Sequence, residues 1–565
     1  MVGSFMKRVS LFLASLLLTA SLFAAPKKVN YTENTDGTLS ITTIDKDASV
    51  KAKQKVDGFS DVTKILCSKV KKTNPVTIDL SAFANKEVMV NLSCSIKVET
   101  ADSSETDIIW MINDLAAGMP VLVQQKVKAG EWTSLKGEAA VPLGPNKQLY
   151  ISGAGINFAD TVIYLKDFEI KLSGDGLTAA AKAEVNWADA PSIKEAYKNY
   201  FDYVGFAVSM RPDLNNPEVT ENLAKHANSI TLGNEFKPDF LFNWARPSNM
   251  EDFAAENGKT YQVPMGMPSM GNAKTILYTA MEMGVNIRGH VLVWHQQTPS
   301  WFFREDFDAK KGLVDKETMN ARLEWYIKSV MAFVDSFEKT MNNGKHIITI
   351  WDVVNEAVAD NAGSQKWLRT DSDWYRIYGN EEFIINAFRY ANKYAPKDVL
   401  LVYNDYNCYS AGKCNAICNL VDEIRAVPDA RIDAIGMQSH VSIDYPAVRG
   451  GGNSYEAAVQ KFLAKDIDVQ VTELDIANGS KAYSPVMLKA KYKDYYKLFL
   501  KYRKTAEKHG ISGVTIWGLT DNGTWLNDLD QYKGHTQYPL LMDEHFNVKP
   551  AFYGVLEAAE DAAEK

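Results

Sequence analysis

Eight times between residues 203 and 521, a short apolar, β-branched run gives way to a stretch with helical periodicity. The runs are YVGFAVS (203–209), SITLGN (229–234), IRGHVLVWH (287–295), IITIWDVVNE (347–356), VLLVYNDY (399–406), IDAIGMQSH (432–440), DVQVTELD (468–475) and GVTIWGLTD (513–521). Intervening segments such as ETMNARLEWYIKSVMAFVDSFEKTM space their apolar residues three and four apart, as a helix with one buried face requires. Near-continuous hydrophobicity marks strands covered on both faces. Eight of them alternating with helices predict an α/β chain closed as a (β/α)8 TIM barrel over 191–565. An open doubly wound sheet is the alternative. The regular count of eight and the lack of a Gly-rich phosphate loop after the first strand disfavour it.

Upstream the rhythm is different. Over residues 59–172 short segments alternate apolar and polar positions, among them VTIDLS, EVMVNLSCSIKV, DIIWMIN, PVLVQQKV, QLYIS and TVIYLKDFEIKL. Turn residues separate them, so an all-β sandwich domain is expected there. Residues 26–58 are polar without clear periodicity, and 173–190 gain Gly and Ala and form a linker.

At the N-terminus, Lys7 and Arg8 precede a mostly apolar stretch from Val9 to Ala25 that ends in small residues and Pro26. That order is a secretory signal peptide, 1–25, and implies export to the medium, the cell surface or a periplasm. Ser10, Ser15, Thr19 and Ser21 break a run already short for a membrane anchor. No other stretch spans a bilayer, and a monomer is expected. A net charge of −8, from 62 basic and 70 acidic residues, argues against nucleic acid as partner. Five cysteines leave at least one unpaired within the chain. Cys67 and Cys94 form one group, and Cys408, Cys414 and Cys418 another with no His beside it. They are structural thiols, or form one or two bridges, rather than a zinc site.

The strand ends carry the chemistry, because active sites of this barrel class lie at the C-terminal ends of strands. Asn234 and Lys237 follow the second strand; His290, Trp294, His295 and Gln297 lie on or after the third. Asn355 and Glu356 close the fourth, Asn404 and Asp405 the fifth, and Gln438 and His440 the sixth. Glu473 and Asp475 close the seventh, and Trp517 and Asp521 the eighth. Together they predict a polar bowl with aromatic walls. Glu356 and Glu473 sit three strands apart in a ring of eight, so their side chains can face each other across the mouth. Glycoside hydrolysis needs such a pair, one acid for the leaving oxygen and one carboxylate for the oxocarbenium-like carbon. Asn355 suits a hydrogen bond to a sugar hydroxyl, and His440 can hold Glu473 ionised. No His spacing supports a metal and no G-x-S-x-G elbow supports a serine nucleophile. No cofactor is expected.

GHVLVWHQQTPSW, WDVVNEAV, LLVYNDYN, IDAIGMQSH, VTELDI and IWGLTDNGTW together resemble the family 10 glycoside hydrolases, the β-1,4-xylanase family, over about 195–558. The resemblance implies an endo-xylanase that retains anomeric configuration, with Glu356 as acid/base and Glu473 as nucleophile. It implies a glycone side lined by Asn234, Lys237, His290, Trp294 and Gln297, completed by Asn355 and Gln438. It also networks His440 and Asp475 to the nucleophile and packs Trp517 and Trp525 on the sugar. The partner so implied is xylan or a related β-1,4-linked polysaccharide. A β-1,4-glucanase, a transglycosylase or a non-catalytic polysaccharide binder are the alternatives. One departure is Gly233, where the family commonly has Glu. More weakly, GEWTSLKGEAAVP, LYISG and VIYLKDFEI resemble a family 22 carbohydrate-binding module. Tyr150 matches a binding-face aromatic there, while Ser152 replaces the usual acid and no Trp stands near Ser95. Sugar binding and a spacer role both remain open for that domain, and Trp110 and Trp132 are candidates for its core.

Overall fold

A computed structural model of the protein describes residues 184–564 except 243–246, 364–366 and 481. In the N-terminal unit it describes 31–34, 38–44, 50–69, 76–80, 83, 86–100, 105–112, 120–141, 148–152 and 161–174. The chain divides into two compact units, Met1–Ala183 and Glu184–Lys565. The expected signal peptide lies outside the described residues.

In the second unit all eight apolar runs are strands: Tyr203–Val208, Ser229–Leu232, Asn286–Trp294, Ile348–Asn355, Leu400–Asp405, Ala434–Met437, Asp468–Ala477 and Ile511–Ile516. Each pairs in parallel with the next, and the first pairs with the eighth, Phe206 opposite Ile516, so the sheet closes. The sixth strand is shorter than its sequence suggests. It stops at Met437 and resumes as His440–Ser442, which pairs with Asp475–Ala477. The break falls at Ser439, whose φ of +68° turns the chain and whose hydroxyl bonds Met437 O at 2.9 Å and Tyr455 OH at 2.6 Å.

Helices surround the barrel, and one of them helps fix the strand that carries the first carboxylate. Lys316–Met341 begins at Asp315, which accepts the N–H of Thr318 at 2.8 Å as an N-cap. Near its other end the buried Glu338 carboxylate accepts the N–H groups of Ile347 (2.6 Å) and Ile348 (3.0 Å), where the fourth strand starts. Inside the barrel, Arg288 bridges Asp352 and Gln470, with Arg288 Nε 2.9 Å from Asp352 Oδ2. Burial would push the Asp352 carboxyl up, but the Arg288 guanidinium and the His290 hydrogen bond outweigh it and hold the group below the usual carboxylate range.

The expected linker at 173–190 ends earlier than its composition suggests. Ser173 closes a strand of the first unit, and residues from Glu184 belong to the barrel unit. Trp187 is 2% exposed, stacked on Phe546 (4.9 Å between centroids) and on His226 (5.6 Å). Burying a large aromatic side chain outweighs the local loss of rhythm that made this stretch look like linker. Trp187→Ala should therefore cost the barrel unit about 3–5 kcal/mol. Urea denaturation followed on barrel tryptophans would show the midpoint falling.

Among the described residues, the first unit is a sandwich of seven-stranded and four-stranded antiparallel sheets. Its core includes Trp110, Ile96, Val98, Ile163 and Leu172, with Trp110 stacked 5.8 Å from Phe168. The sandwich begins before residue 59. Leu39–Ile41 pairs with the strand Val162–Ser173, and Val50–Val56 forms a hairpin with Phe59–Leu66. Leu39, Ser40 and Ile41 are buried and no residue of Val50–Val56 is, which leaves little periodicity in the sequence. Thr133–Val141 is a further strand, paired with Val88–Glu99, that lacks clear alternation because Leu135 and Val141 are its only fully covered positions. Trp110 is core, whereas Trp132 lies edge-on to Phe59 and donates to Asp57 at 3.0 Å. Tyr150 lies in the strand Gln148–Ser152, opposite Thr77 and Met111; its side chain is outside the described residues. All five cysteines are buried and free, so no bridge forms.

Candidate active site

The fourth strand ends at Asn355, and Glu356 then adopts a φ of +57°. That left-handed conformation costs a residue bearing a Cβ about 1–2 kcal/mol. Its side chain is held by three donors from three strand ends. Glu356 Oε2 accepts from Trp294 Nε1 (3.0 Å), and Oε1 accepts from Gln438 Nε2 (2.8 Å) and Asn355 Nδ2 (3.2 Å).

Glu473 lies within the seventh strand and is 4% exposed. Its Oε1 accepts from Asn404 Nδ2 at 2.7 Å, and its Oε2 lies 3.2 Å from His440 Nε2. His440 Nδ1 is 2.9 Å from Asp475 Oδ2, which also accepts from Trp525 Nε1 at 2.9 Å. Burial alone would raise the Glu473 carboxyl; the His440 hydrogen bond, the nearby His290 and Asn404 outweigh it and hold it below the usual range. Burial likewise disfavours charge on His440, but Asp475 and Glu473 on either side push its imidazole up to about 10. The nucleophile candidate is thus kept ionised by a charged neighbour.

Asn404 joins the two halves. Its Nδ2 also donates to Asn355 Oδ1 at 3.0 Å, while its Oδ1 accepts from Thr472 Oγ1 at 2.7 Å. Two amides therefore connect one carboxylate to the other. The side chain has room only because residue 436 is glycine. A Cβ there would meet Asn404 Oδ1 at 2.4 Å and Arg288 Nη2 at 3.2 Å.

The remaining candidates form the wall. Lys237 Nζ donates to Gln297 Oε1 (2.8 Å) and Asn234 Oδ1 (3.3 Å), and Gln297 Nε2 donates to Asn234 Oδ1 (3.1 Å). Lys237 Nζ also sits 4.8 Å from the centre of the Trp294 ring. Burial lowers the Lys237 ammonium, against the pull of Glu473, Asp239, Glu356 and Glu235. His290 Nδ1 is fixed 2.9 Å from Asp352 Oδ2, and its ring lies edge-on to Trp517 at 5.6 Å. Trp517 and Trp525 in turn flank His440, at 6.1 Å and 4.8 Å. Three strand-end residues stand apart from it: Asp521 bonds Lys549 Nζ at 2.6 Å and the Leu540 N–H at 2.9 Å, Asp405 pairs with Lys413, and His295 meets the wall only edge-on to the Trp294 ring at 5.8 Å. Among the described residues, no group of three or more His, Cys, Asp or Glu could hold a metal ion.

Sequence reasoning placed Asn404 at a strand end but gave it no role in the site, and it overlooked Arg369 and Glu235. Arg369 Nε donates to the Glu356 carbonyl at 3.2 Å. Glu235, two residues after Gly233, turns to the backbone, accepting the N–H of Met210 at 2.6 Å and of Asn234 at 3.3 Å. NDY at the tip of the fifth strand was the available signal for Asn404; Arg369 had none, since it approaches through a loop.

If His440 holds Glu473 ionised, its loss has a predictable sign. A depressed carboxyl pKa lets activity persist as pH falls, so His440→Ala should move the acidic limb of the kcat/KM profile to higher pH. The size should be about 1–2 pH units, the worth of one hydrogen bond to a charged group. A pH–rate profile of the two proteins measures it, and an unmoved acidic limb would remove His440 from this role.

A closed parallel barrel with two amide-linked carboxylates at its mouth defines a glycoside hydrolase. The sequence model for glycosyl hydrolase family 10 matches residues 192–558, and the chain belongs to that family. Endo-1,4-beta-xylanase Y of Acetivibrio thermocellus is 32% identical over 444 residues, covering 77% of this chain and 38% of that protein. The chain thus spans well under half the length of that relative. Endo-1,4-beta-xylanase A of Butyrivibrio fibrisolvens is 32% identical over 407 residues, 67% of this chain and 87% of that protein. Among solved structures, the CBM22-1–GH10 modules of a Clostridium thermocellum endo-1,4-beta-D-xylanase, complexed with xylohexaose, match with a TM-score of 0.54 at 26% identity. That match covers 94% of this chain and 97% of the other, and so takes in the N-terminal sandwich, which is similar to a family 22 module. A psychrophilic family 10 endo-beta-1,4-xylanase matches with a TM-score of 0.51 at 31% identity over 65% of this chain and 99% of its own.

Proposed function

We propose that the protein is an exported, monomeric endo-β-1,4-xylanase that cleaves internal bonds of xylan with retention of anomeric configuration. The observation that carries the reading is the amide bridge between carboxylates: Glu356 to Asn355 (3.2 Å), Asn355 to Asn404 (3.0 Å), Asn404 to Glu473 (2.7 Å). Such a bridge keeps the pair close, as direct attack by a carboxylate requires. Xylan as substrate rests on the named activity of the relatives. A monomer suffices because every site residue comes from one chain, and export rests on the basic and apolar N-terminus.

Two displacements follow. Glu356 gives its proton to the glycosidic oxygen as Glu473 attacks the anomeric carbon; the C–O bond breaks and the protonated aglycone departs. A covalent ester to Glu473 remains. Glu356, now a carboxylate, takes a proton from water, whose oxygen attacks the same carbon from the opposite face and releases Glu473. Donors on both oxygens of Glu356, from Trp294 and Gln438, keep it on the leaving-group side throughout.

Reducing ends and viscosity should be followed on xylan and on carboxymethyl cellulose, with the first-formed anomer recorded by proton NMR. Rapid viscosity loss on xylan with β-anomer first is expected. Release from cellulose alone would redirect the substrate, α-anomer first would mean inversion, and no release from either would remove the enzymatic reading.

A further inference from the structure

The left-handed turn at Glu356 raises the question of what holds it, since strained backbone persists only where its surroundings over-determine it. Before the turn, the Glu356 N–H donates to Asn404 O at 2.9 Å. After it, the Glu356 carbonyl accepts from Arg369 Nε (3.2 Å), and the Val358 N–H donates to Tyr403 OH (3.0 Å). Both of these holders are themselves held. Arg369 Nη2 donates to Tyr406 OH at 3.0 Å, and that hydroxyl bonds Asp360; Tyr403 OH donates to Asp405 Oδ2 at 2.6 Å.

The two acids converge on one cation. Lys413 Nζ lies 2.9 Å from Asp360 Oδ1 and 2.8 Å from Asp405 Oδ1, and 3.7 Å from the centre of the Tyr406 ring. Lys413 and Asp405 have side chains with no exposed surface, whereas Asp360 is 50% exposed. A lysine buried this completely is costly unless paired, and here it is paired twice, with acids that are not among the donors to the Glu356 side chain. It stands in the first turn of the helix Ala411–Arg425, so one ammonium ties that helix, the fifth strand and the residues after Glu356 together.

We propose that Lys413 and Asp360 form a latch that holds the turn at Glu356, and are positioning residues for proton transfer to the leaving group. The latch rests on the acid/base reading of Glu356, and leaving-group dependence separates the two. Breaking a glycosidic bond to a sugar needs the acid; expelling dinitrophenolate does not. Misplacing a catalytic group by about 1 Å can cost on the order of 100-fold.

The test compares kcat/KM on xylan and on 2,4-dinitrophenyl β-xylobioside for the full chain and for Asp360→Ala and Lys413→Met. Asp360→Ala leaves the Lys413–Asp405 pair intact, so it carries the test alone if Lys413→Met does not fold. Xylan kcat/KM should fall roughly 10- to 100-fold while the aryl glycoside value stays within about twofold. Azide should raise the variants' kcat on the aryl glycoside, because it replaces the water that Glu356 must deprotonate. Equal losses on both substrates, or no loss on xylan, would overturn the latch. If Glu356→Ala itself lacks leaving-group dependence, the acid/base assignment falls and the latch with it.

Discussion

Glu473→Ala should lower turnover of xylan by on the order of 10^5-fold, the scale seen when an enzyme loses its nucleophile. The carboxylate is buried, accepts from Asn404 at 2.7 Å and faces His440 at 3.2 Å, so alanine there removes the one oxygen pair that these two side chains hold in place. The fold should survive, because His440 keeps its contact with Asp475 at 2.9 Å. Azide added to the variant should enter the vacated space and form an α-xylosyl azide, with inversion. Product analysis by NMR measures this, and full activity without azide would show that another group attacks the anomeric carbon.

Glu356→Ala should behave differently. Loss of general acid catalysis costs roughly 10^2- to 10^4-fold, and only where the leaving group needs a proton. Hydrolysis of xylan should fall by that amount, while kcat/KM on a dinitrophenyl glycoside should change little. Azide should then give a β-xylosyl azide, because it attacks the Glu473 ester from the face water uses. An α-azide here would exchange the two roles. The opposite stereochemistry in the two variants is a sharper test than either rate alone.

The barrel strands and their polar tips were legible in the sequence because both depend on local pattern. A strand buried on two faces needs a continuous apolar run, and its C-terminal end is where a side chain escapes into the mouth. Hence Asn355, Glu356, Gln438, His440 and Glu473 were all named from strand ends. The N-terminal sandwich was harder. Leu39–Ile41 and Val50–Val56 are strands because partners far along the chain accept their hydrogen bonds, and three buried residues in a row carry little periodicity. Trp187 looked like part of a linker for the same reason: its partners Phe546 and His226 are distant in sequence.

By itself, then, the sequence determined the eightfold repeat, the two carboxylates and the residue types around them. Tertiary structure alone decided how those residues are joined. It made Asn404 the bridge between Glu356 and Glu473, and gathered Arg369, Tyr403, Asp360, Asp405 and Lys413 behind the left-handed turn. Burial pattern is written over a few neighbouring residues, whereas a hydrogen bond across a closed barrel depends on which strands the closure brings face to face.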